Sequence, residues 1–367
     1  MRIGIDARPL IEKKTGIGYY LKYLLENILE NDKENEYILF SDREVFFDVA
    51  KYENVVVIID EESILKKTFW YIFKMNKLCN EYNIDVFWGT QHVLPFGLKK
   101  QKCILTIHDL VAFDFKETMN IYNRIINRIL IPRSISKANK IIAVSKSTKD
   151  RIKFHFEKES DNKVKVIYED VIVKRNYSYI DNNYLSSKGL EEKQYILFLG
   201  TIEPRKNIIT LIKALEYIYK ATNMKLVICG KYGWGCEKER ELIEKNNDKI
   251  IFLNYISDDE KDYLMNKSFA FIFPSLYEGF GLPVLEAMRN NTVTIVSDNT
   301  SLGEIVDNTL IKFDTLDEKD LANKVIELYY NPNLYEEALN YCNSRQKDFD
   351  WNDISKQYIY ELVNWEE

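Results

Sequence analysis

The alternation of short apolar runs with longer amphipathic segments constrains the fold of this chain more than any other feature. The short runs are typical of buried strands, and the longer segments repeat apolar residues every three or four positions, as amphipathic helices do. The strands predicted in the first half are Ile3–Ile5, Tyr37–Phe40, Val55–Ile59, Asp85–Trp88, Ile104–Ile107, Ile141–Val144 and Val164–Ile167. Those predicted in the second half are Tyr195–Leu199, Leu226–Cys229, Ile250–Leu253, Phe269–Phe273 and Val293–Val296. Such alternation favours an α/β fold with parallel sheets covered by helices.

The length of the chain and one polar segment predict two domains. A chain of 367 residues is longer than one hydrophobic core usually organises. Residues 176–193 are mostly polar and show no clear period, which is typical of a linker. We therefore expect an N-terminal domain over residues 1–175 and a C-terminal domain over residues 194–350. Open α/β sheets bind ligands outside the carboxyl ends of their strands, so two such domains predict a cleft between them.

The composition excludes several classes of protein. The net charge of −6 gives no general reason to expect nucleic-acid binding. No stretch approaches the roughly 18 apolar residues that span a bilayer. The five cysteines show no zinc-binding spacing, and Cys103 and Cys229 lie in apolar, strand-like runs, which indicates a reducing compartment. We therefore expect a cytoplasmic protein.

The segment from Pro274 to Met288 carries the strongest sign of a ligand site. Glu278 is expected in the loop after a strand, and Glu286 in the first turn of a helix that starts at Pro283. The N–H groups at such a helix start favour anionic or oxygen-rich ligands. Two carboxylates there can accept hydrogen bonds from sugar hydroxyls. The alternative is a pair of solvated or capping acids.

A second strand-to-helix loop, over residues 199–207, carries the adjacent cations Arg205 and Lys206. A guanidinium binds two oxygens at once and an ammonium supplies a point charge, so the pair is suited to phosphate. The alternative is a solvated surface pair.

Two positions in the first half have a similar setting. His108 stands at the end of a predicted strand with Asp109 beside it, which favours a functional histidine over a structural one. Gly16 and Gly18 lie between the first strand and the first helix, where backbone N–H groups can approach a phosphate or sugar. Because all these pieces lie where a strand precedes a helix, we expect a phosphorylated, hydroxyl-rich ligand.

Together these motifs resemble the retaining glycosyltransferases of family four. Glu278 and Glu286 match the Glu-x7-Glu motif of that family, and the runs around His108, Ser145 and Lys206 are similar to it at matching places. The resemblance covers essentially the whole chain. It implies the GT-B fold, in which two Rossmann-like domains face a central cleft. The chain departs from the family pattern in having Tyr-Glu-Asp where Pro-Asn-Gly is usual, before the linker.

The resemblance implies a role for each matching residue. Glu286 would bind the ribose hydroxyls of the nucleotide, and Glu278 would hold the transferred sugar. Arg205 and Lys206 would bind the donor diphosphate, and His108 would lie over the sugar near its anomeric centre. With Glu278, these two cations and this histidine form the implied catalytic set. The other donor-binding positions that it implies are Gly16, Gly18, Ser145, Gly279, Phe280, Gly281 and Leu282.

The run Asp348-Phe349-Asp350 matches the Asp-x-Asp signature of some metal-dependent sugar transferases. We reject a metal site there because Asp350 stands where the last helical pattern needs an N-cap, and no apolar strand precedes it. We therefore expect no metal, and no cofactor beside the nucleotide-sugar substrate. The resemblance implies that the last helix, within residues 351–367, crosses back to the first domain.

The motifs together predict a retaining, metal-independent hexosyltransferase. It would move a hexose from a nucleotide diphosphate sugar to a hydroxyl of a glycan or lipid-linked acceptor in cell-surface polysaccharide synthesis. The run from Thr201 to Asn207 resembles bacterial mannosyltransferases, which favours GDP-mannose over a UDP-hexose. No carboxylate nucleophile is evident, which favours a front-face route. A sugar-nucleotide epimerase of similar fold, or a non-catalytic sugar-nucleotide-binding subunit, is the alternative.

Two basic, amphipathic stretches of the predicted first domain indicate contact with an anionic membrane surface, where lipid-linked acceptors reside. One is Leu65–Lys74, and the other runs from Arg124 through Arg128, Arg133 and Lys137 to Lys140. They predict a protein peripheral to the inner face of the cytoplasmic membrane. Ordinary helices with snorkelling lysines are the alternative.

Overall fold

Strands and helices alternate along the chain in a computed structural model that describes residues 1–61, 68–115, 121–160, 162–175, 177, 180–181 and 183–365. The first seven strands are β1 (Arg2–Asp6), β2 (Glu36–Ser41), β3 (Val55–Ile59), β4 (Val86–Gly89), β5 (Lys102–Ile107), β6 (Lys140–Ala143) and β7 (Val164–Val166). The others are β8 (Tyr195–Leu199), β9 (Lys225–Cys229), β10 (Ile250–Leu253), β11 (Ala270–Phe273), β12 (Val293–Ser297) and β13 (Lys312–Phe313).

The helices lie between the strands and after the last one. Those of the first half are α1 (Gly16–Asn31), α2 (Thr68–Glu81), α3 (Val111–Asp114), α4 (Ile121–Lys137) and α5 (Lys146–Ser160). Those of the second half are α6 (Tyr184–Ser187), α7 (Ile208–Thr222), α8 (Glu237–Lys245), α9 (Asp258–Lys267), α10 (Leu282–Arg289), α11 (Leu302–Ile305), α12 (Glu318–Tyr330), α13 (Pro332–Arg345) and α14 (Trp351–Val363). In the described part of the chain no helix is long and apolar enough to cross a membrane.

The strands form two parallel sheets. Strands β1–β7 pair in the order β3-β2-β1-β4-β5-β6-β7, and β8–β13 in the order β10-β9-β8-β11-β12-β13. In each sheet the strand order reverses beside the first strand, β1 or β8. Ligands of open α/β sheets bind outside the carboxyl ends of the strands near such a point. The predicted α/β fold with two parallel-sheet domains is confirmed.

The twelve predicted strands are all present, and their ends lie within two residues of the predicted ones. Strand β13, Lys312–Phe313, has no counterpart in the prediction because two residues are too few to show a pattern. The buried residues of the first sheet form two apolar clusters, one joined by Trp70 and Met75 of α2 and the other by Leu24 of α1 and Tyr358 of α14. Helices therefore cover both faces of this sheet.

The chain divides into two compact units. The first comprises Met1–Asp114, Ile121–Val171 and the C-terminal segment from Phe349, and the second contains Ile172–Asp348. Part of the predicted linker packs on the second unit, since Leu185 is buried and the ring of Tyr184 stands edge-on to that of Tyr263. Residues 176, 178, 179 and 182 of that linker lie outside the described residues, as do residues 65–67 of the first basic stretch.

Helix α14 packs against α1 in the first unit. The Asp350 carboxylate accepts hydrogen bonds from two backbone N–H groups of the first turn at 2.9 and 3.1 Å, so it is the N-cap that the sequence predicts. The hydroxyl groups of Tyr20 and Tyr358 are hydrogen-bonded. At the other end of the helix, Lys140 Nζ lies 2.9 Å from Glu361 Oε2. These contacts attach the end of the chain to the first sheet.

Candidate active site

The predicted site residues lie in two groups, at the carboxyl ends of strands in each sheet. In the second unit, Arg205, Lys206 and Glu278 come together in one ion cluster. In the first unit, His108 and Ser145 follow the neighbouring strands β5 and β6.

The loops after β8 and β9 pass very close to each other. A Cβ atom added to Gly230 would lie 1.9 Å from the carbonyl oxygen of Gly200, so no other residue fits there. Both glycines also have positive φ angles, 149° at Gly200 and 151° at Gly230. This close approach determines the path of the loop that carries Arg205 and Lys206.

Asn207 ties that loop to the ends of neighbouring strands. Its φ of 53° lies in the left-handed region, which asparagine tolerates better than most residues. Its side-chain Nδ2 donates to the carbonyl oxygens of Pro274 at 3.1 Å and Thr315 at 2.8 Å. The short turn Pro204–Lys206 just before it therefore stands beside the end of β11.

Arg205, Lys206 and Glu278 form a largely buried ion cluster with Glu203. Lys206 Nζ donates to Glu278 Oε1 at 2.7 Å, and Arg205 Nη1 lies 3.0 Å from Glu278 Oε2. Arg205 also donates from Nη2 to Glu203 Oε1 at 2.5 Å and from Nη1 to the Tyr277 carbonyl oxygen at 2.7 Å. Two cations thus meet two carboxylates at the switch point of the second sheet.

The environment of this cluster shifts the pKa values of its members. Burial disfavours the Glu278 carboxylate, but the charges of Lys206 and Arg205 outweigh burial and lower its pKa to about 2. Burial lowers the pKa of the Lys206 ammonium, and the like charge of Arg205 adds to that effect against the attraction of Glu278. Glu278 is therefore ionised at neutral pH, in surroundings where charges interact more strongly than in water.

The segment after β12 holds the backbone around Glu278. Ser301 Oγ donates to the carbonyl oxygen of Glu278 at 3.0 Å, and Asn299 Nδ2 donates to that of Ser275 at 2.9 Å. Thr300, between them, has a φ of 40°. This conformation is strained for a β-branched residue, and such strain is concentrated at ligand-binding and catalytic sites.

Helix α10 begins one residue earlier than the sequence predicts. Its first residue is Leu282, so Pro283 occupies the second position and Glu286 lies in the second turn rather than the first. Gly281 precedes the helix with a φ of 124°, and a Cβ atom there would lie 2.9 Å from a methyl carbon of Leu302. Gly279 and Phe280, just before it, are buried.

Glu286 pairs with a different cation from Glu278. Its Oε1 lies 2.7 Å from Nζ of Lys261 on α9. Burial acts to lower the pKa of Lys261, but the charge of Glu286 and its hydrogen bond outweigh burial and raise it. The sequence offers no signal for Lys261, which lies 25 positions before Glu286 on a mostly polar helix. The two carboxylates of the predicted motif, Glu278 and Glu286, therefore pair with different cations.

Both ring nitrogens of His108 are hydrogen-bonded within the first unit. Nδ1 lies 2.9 Å from Oε1 of Glu169, and Nε2 lies 3.0 Å from the carbonyl oxygen of Thr90. A carbonyl oxygen only accepts, so Nε2 carries a proton. The ring of Tyr20 packs edge-on against the imidazole, with 4.8 Å between ring centroids. In this structure, therefore, His108 is held in place rather than open to solvent.

The imidazole of His108 has a raised pKa. Burial acts to lower it, but the hydrogen bond to Glu169 and the charge of that carboxylate outweigh burial. Neighbouring His92, with 5.5 Å between the ring centroids, shows the opposite shift, since burial lowers its pKa to about 4. The sequence shows that an acid, Glu169, follows β7 where the resembled family has Pro-Asn-Gly. It does not show that this acid pairs with His108.

Ser145, Gly16 and Gly18 lie at helix starts. Ser145 Oγ accepts from the backbone N–H of Thr148 at 2.9 Å and so caps α5. Gly16 is the first residue of α1 and Gly18 lies in its first turn, so the predicted loop before the helix is itself helical. A Cβ atom on Gly18 would lie 2.6 Å from the carbonyl oxygen of Pro9, which gives this glycine a packing role. Their contacts with a donor stay predictions.

Among the described residues there is no group of three or more histidine, cysteine, aspartate or glutamate side chains that could hold a metal ion. Asp348 pairs with Arg345 at 2.6 Å, and Asp350 is the cap of α14. The expectation that the reaction needs neither metal nor cofactor stays a prediction.

Two family models match the chain, one in each half. The model described as Glycosyltransferase Family 4 matches residues 15–171, and the model described as Glycosyl transferases group 1 matches residues 182–345. The chain is 27% identical to the O-antigen chain mannosyltransferase RfbU of Salmonella typhimurium, over 82% of each chain. It is 25% identical to the O-antigen chain mannosyltransferase B of Escherichia coli, over 99% of this chain and 100% of that one.

The fold is also found in a solved glycosyltransferase. WaaG, a glycosyltransferase involved in lipopolysaccharide biosynthesis, superimposes with a TM-score of 0.71 at 13% identity, covering all of both chains. At that identity the likeness shows the fold alone. Both family models describe glycosyltransferases, and between them they match both parallel-sheet units. The chain therefore belongs to the glycosyltransferases of the GT-B fold.

Proposed function

We propose that this protein is a retaining hexosyltransferase that uses a nucleotide diphosphate sugar and a glycan or lipid-linked acceptor in cell-surface polysaccharide synthesis. The cluster of Arg205, Lys206 and Glu278 carries the proposal, because it concentrates cations in a largely buried place at the edge of the second sheet. Preorganised N–H donors of this kind stabilise a leaving group that gathers negative charge. A diphosphate is such a leaving group.

GDP-mannose is the donor that we favour, with a UDP-hexose as the next candidate. Both relatives described above are named O-antigen chain mannosyltransferases, and one is similar over almost the whole of this chain. The same names support an acceptor that belongs to a surface polysaccharide. Since the relatives are transferases, they favour sugar transfer over epimerisation.

The proposed reaction exchanges one bond at the anomeric carbon for another on the same face of the sugar. The bond between that carbon and the diphosphate oxygen breaks, and the electron pair stays on the diphosphate. The acceptor hydroxyl oxygen bonds to the carbon, and its proton passes to a phosphate oxygen of the leaving group. Arg205 and Lys206 stabilise the charge that develops, while Glu278 keeps both cations in position.

The roles that we propose for the other residues follow their surroundings. Glu286 accepts hydrogen bonds from the ribose hydroxyls, and Lys261 orients its carboxylate for this. His108 lies near the anomeric centre with an orientation that Glu169 and Thr90 hold. We also propose that the reaction takes place in the cytoplasm without a metal or any other cofactor.

A panel of nucleotide sugars tests the function. The purified protein is incubated with GDP-mannose, UDP-glucose and UDP-N-acetylglucosamine, with and without a polysaccharide or polyprenyl-linked acceptor, and released nucleotide is measured. Release from GDP-mannose that depends on the acceptor is expected, and the anomeric signals of the product by NMR report retention. Activity is expected to persist in excess EDTA. No transfer from any donor, or inversion at the anomeric carbon, would contradict the proposal.

A further inference from the structure

The loop that follows β4 turns tightly at His92. The N–H of Val93 donates to the carbonyl oxygen of Gln91, two residues earlier, which is the hydrogen bond of a γ-turn, and the central residue, His92, has a φ of 55°. A γ-turn with a positive central φ is the rare and strained form. Such strain costs free energy, and it is concentrated at ligand-binding and catalytic sites. His92 is therefore a candidate for a functional role.

Contacts on both sides of His92 hold the backbone of this loop. The His92 N–H donates to the carbonyl oxygen of Thr106 at 3.0 Å. Before it, Thr90 Oγ1 donates to the carbonyl oxygen of the last residue of β1 at 2.8 Å, and after it the Tyr71 hydroxyl donates to the carbonyl oxygen of Val93 at 2.7 Å. The neighbouring strands and α2 therefore fix the strained conformation, as the surrounding structure must if the strain is to persist.

The imidazole of His92 is not held in this way. Among the described residues its buried Nδ1 has no hydrogen-bond partner, whereas both ring nitrogens of neighbouring His108 are bonded. A buried polar atom without a partner costs free energy, and native structures contain few of them. Residues 91–93 are partly exposed. Rotation of the ring about its Cβ–Cγ bond exchanges its two edges, so a ligand that reaches this loop from solvent can meet a ring nitrogen.

His92 lies where the first sheet is expected to bind a ligand. Strand β4 pairs with β1 on one side and with β5 on the other, and the strand order reverses beside β1. Ligands of open α/β sheets bind outside the carboxyl ends of the strands at such a point. His108, which we propose lies near the anomeric centre, has its ring centroid 5.5 Å from that of His92. A group bound by His92 is therefore close to the reacting carbon of the proposed reaction.

The chemistry of the ring indicates which group it binds. Burial lowers the pKa of His92 to about 4, so the ring is neutral at pH 7, with one nitrogen as a donor and the other as an acceptor. The negative charge of Asp109 also acts on this ring, which disfavours an anionic ligand such as a diphosphate. A hydroxyl group both donates and accepts, so it suits either nitrogen. His92 is therefore matched to an uncharged ligand that carries hydroxyl groups.

We propose that His92 binds a hydroxyl group of the acceptor sugar and orients it beside the anomeric centre. The side chains proposed for the diphosphate, the ribose and the transferred sugar lie mainly in the second unit, which leaves the acceptor as the substrate for the loop after β4. His92 takes no proton, because in the proposed reaction the proton passes to the diphosphate. The inference rests on the proposed function, since it needs an acceptor. A packing role for the ring is the alternative.

Kinetics of matched variants test the inference on the full chain, with GDP-mannose as the donor and an α-mannose oligosaccharide as the acceptor. His92→Leu removes both ring nitrogens, and the KM for the oligosaccharide is expected to rise about tenfold because one hydrogen bond is lost. His92→Asn and His92→Gln place an amide near Nδ1 and near Nε2, so at least one of them is expected to recover most of that loss. The KM for GDP-mannose is expected to stay at the wild-type value.

His155→Leu is the matched control in the same unit. The Nε2 atom of His155 lies 2.8 Å from Oδ1 of Asp114, so this variant is expected to unfold at a lower urea concentration and to keep the wild-type KM for the oligosaccharide. His92→Asn is expected to unfold at the wild-type urea concentration or above it, because asparagine tolerates a positive φ. If all three His92 variants lose acceptor affinity and stability equally, or if His92→Leu keeps the wild-type KM, the ring has a packing role and the inference is wrong.

NMR separates a failure of this inference from a failure of the proposed function. The chain has three histidines, so isotope-labelled histidine gives a small set of side-chain signals that the variants assign. The His92 signals are expected to shift when the oligosaccharide is added without donor, and those of His155 are not. Unshifted His92 signals would overturn the inference even if the wild type transfers mannose. Shifted His92 signals without any transfer would support acceptor binding by His92 and contradict the proposed function.

Discussion

Each unit buries an ion pair at the carboxyl ends of parallel strands, but the two pairs differ in kind. In the second unit, Glu278 lies between an ammonium and a guanidinium, 2.7 Å from Lys206 and 3.0 Å from Arg205. In the first unit, Glu169 faces a single imidazole, that of His108, at 2.9 Å. Burial acts against the charges of Glu278, Lys206 and His108, and their partners offset it in part or in full.

The difference lies in what changes near neutral pH. The pKa of Glu278 is lowered to about 2, so its charge is constant across the pH range in which a cell works. The pKa of His108 is raised above the ordinary value of a histidine by its hydrogen bond to Glu169 and the charge of that carboxylate, so the ring keeps its proton to a higher pH than an ordinary histidine does. The ion cluster of the second unit therefore keeps its charges throughout that range, whereas the charge of the pair in the first unit depends on one proton.

Lys206→Ala is expected to cause the largest loss of activity. It removes the ammonium that we propose stabilises the leaving group, so turnover should fall by about 10²–10³-fold, as it does when one such donor is removed elsewhere. Folding should be retained, because Arg205 still pairs with Glu278. The measurement is kcat for donor consumption with the acceptor present.

Lys213→Ala, on the exposed side of α7, is the matched control and is expected to keep wild-type turnover. If the turnover of the Lys206→Ala variant is close to that of the wild type, the cluster has a structural role only. The difference between the two units would then have no bearing on catalysis.

Glu278→Gln is expected to have the next largest effect, and on stability as well as activity. It leaves Lys206 and Arg205 in a buried place with less compensation, which costs about 3 kcal/mol of unfolding free energy when one partner of a buried pair is removed. Glu286→Gln should cost about 1 kcal/mol, because Lys261 also lies 3.5 Å from Asp258. Urea unfolding at pH 7 measures both changes.

The same two variants separate the proposed roles of the carboxylates. Glu278→Gln should mainly lower turnover, whereas Glu286→Gln should mainly weaken nucleotide binding, which calorimetry with GDP and UDP reports. If both variants lose only nucleotide binding, or if Glu286→Gln is the less stable of the two, the two carboxylates do not have the separate roles proposed for them.

The sheets were predictable because their signal is local. A run such as Tyr195–Leu199 shows its buried strand in five consecutive residues, whereas β13 is too short to show one. The positions of Arg205 and Glu278 were also predictable, since each follows a strand of the same parallel sheet and such strand ends share one edge.

The partners of the site residues were not predictable, because they are set by tertiary structure. Glu286 meets Lys261 across 25 positions, and His108 meets Glu169 across 61. Each partner lies on an element whose own pattern says nothing about the pairing. The role of Gly18 was hidden in the same way, since only the approach of the Pro9 carbonyl shows why a side chain does not fit there.

The smallest expected effect concerns pH. Because the folded pKa of His108 is raised, the stabilisation that its pairing with Glu169 gives is fully present below the pKa of an unfolded histidine, near 6.5. This stabilisation is lost as pH rises through the folded pKa.

The other groups around the ring are Asp109, Tyr20 and His92, and the pKa of His92, about 4, keeps it neutral throughout this range. The unfolding free energy of the wild type should therefore fall relative to that of Glu169→Gln as the pH rises above about 6.5. A His108→Gln background should abolish that difference, because the titrating ring is gone. If wild type and Glu169→Gln change in parallel with pH, the pair in the first unit holds its charge as constantly as the cluster in the second, and the contrast between them is one of geometry alone.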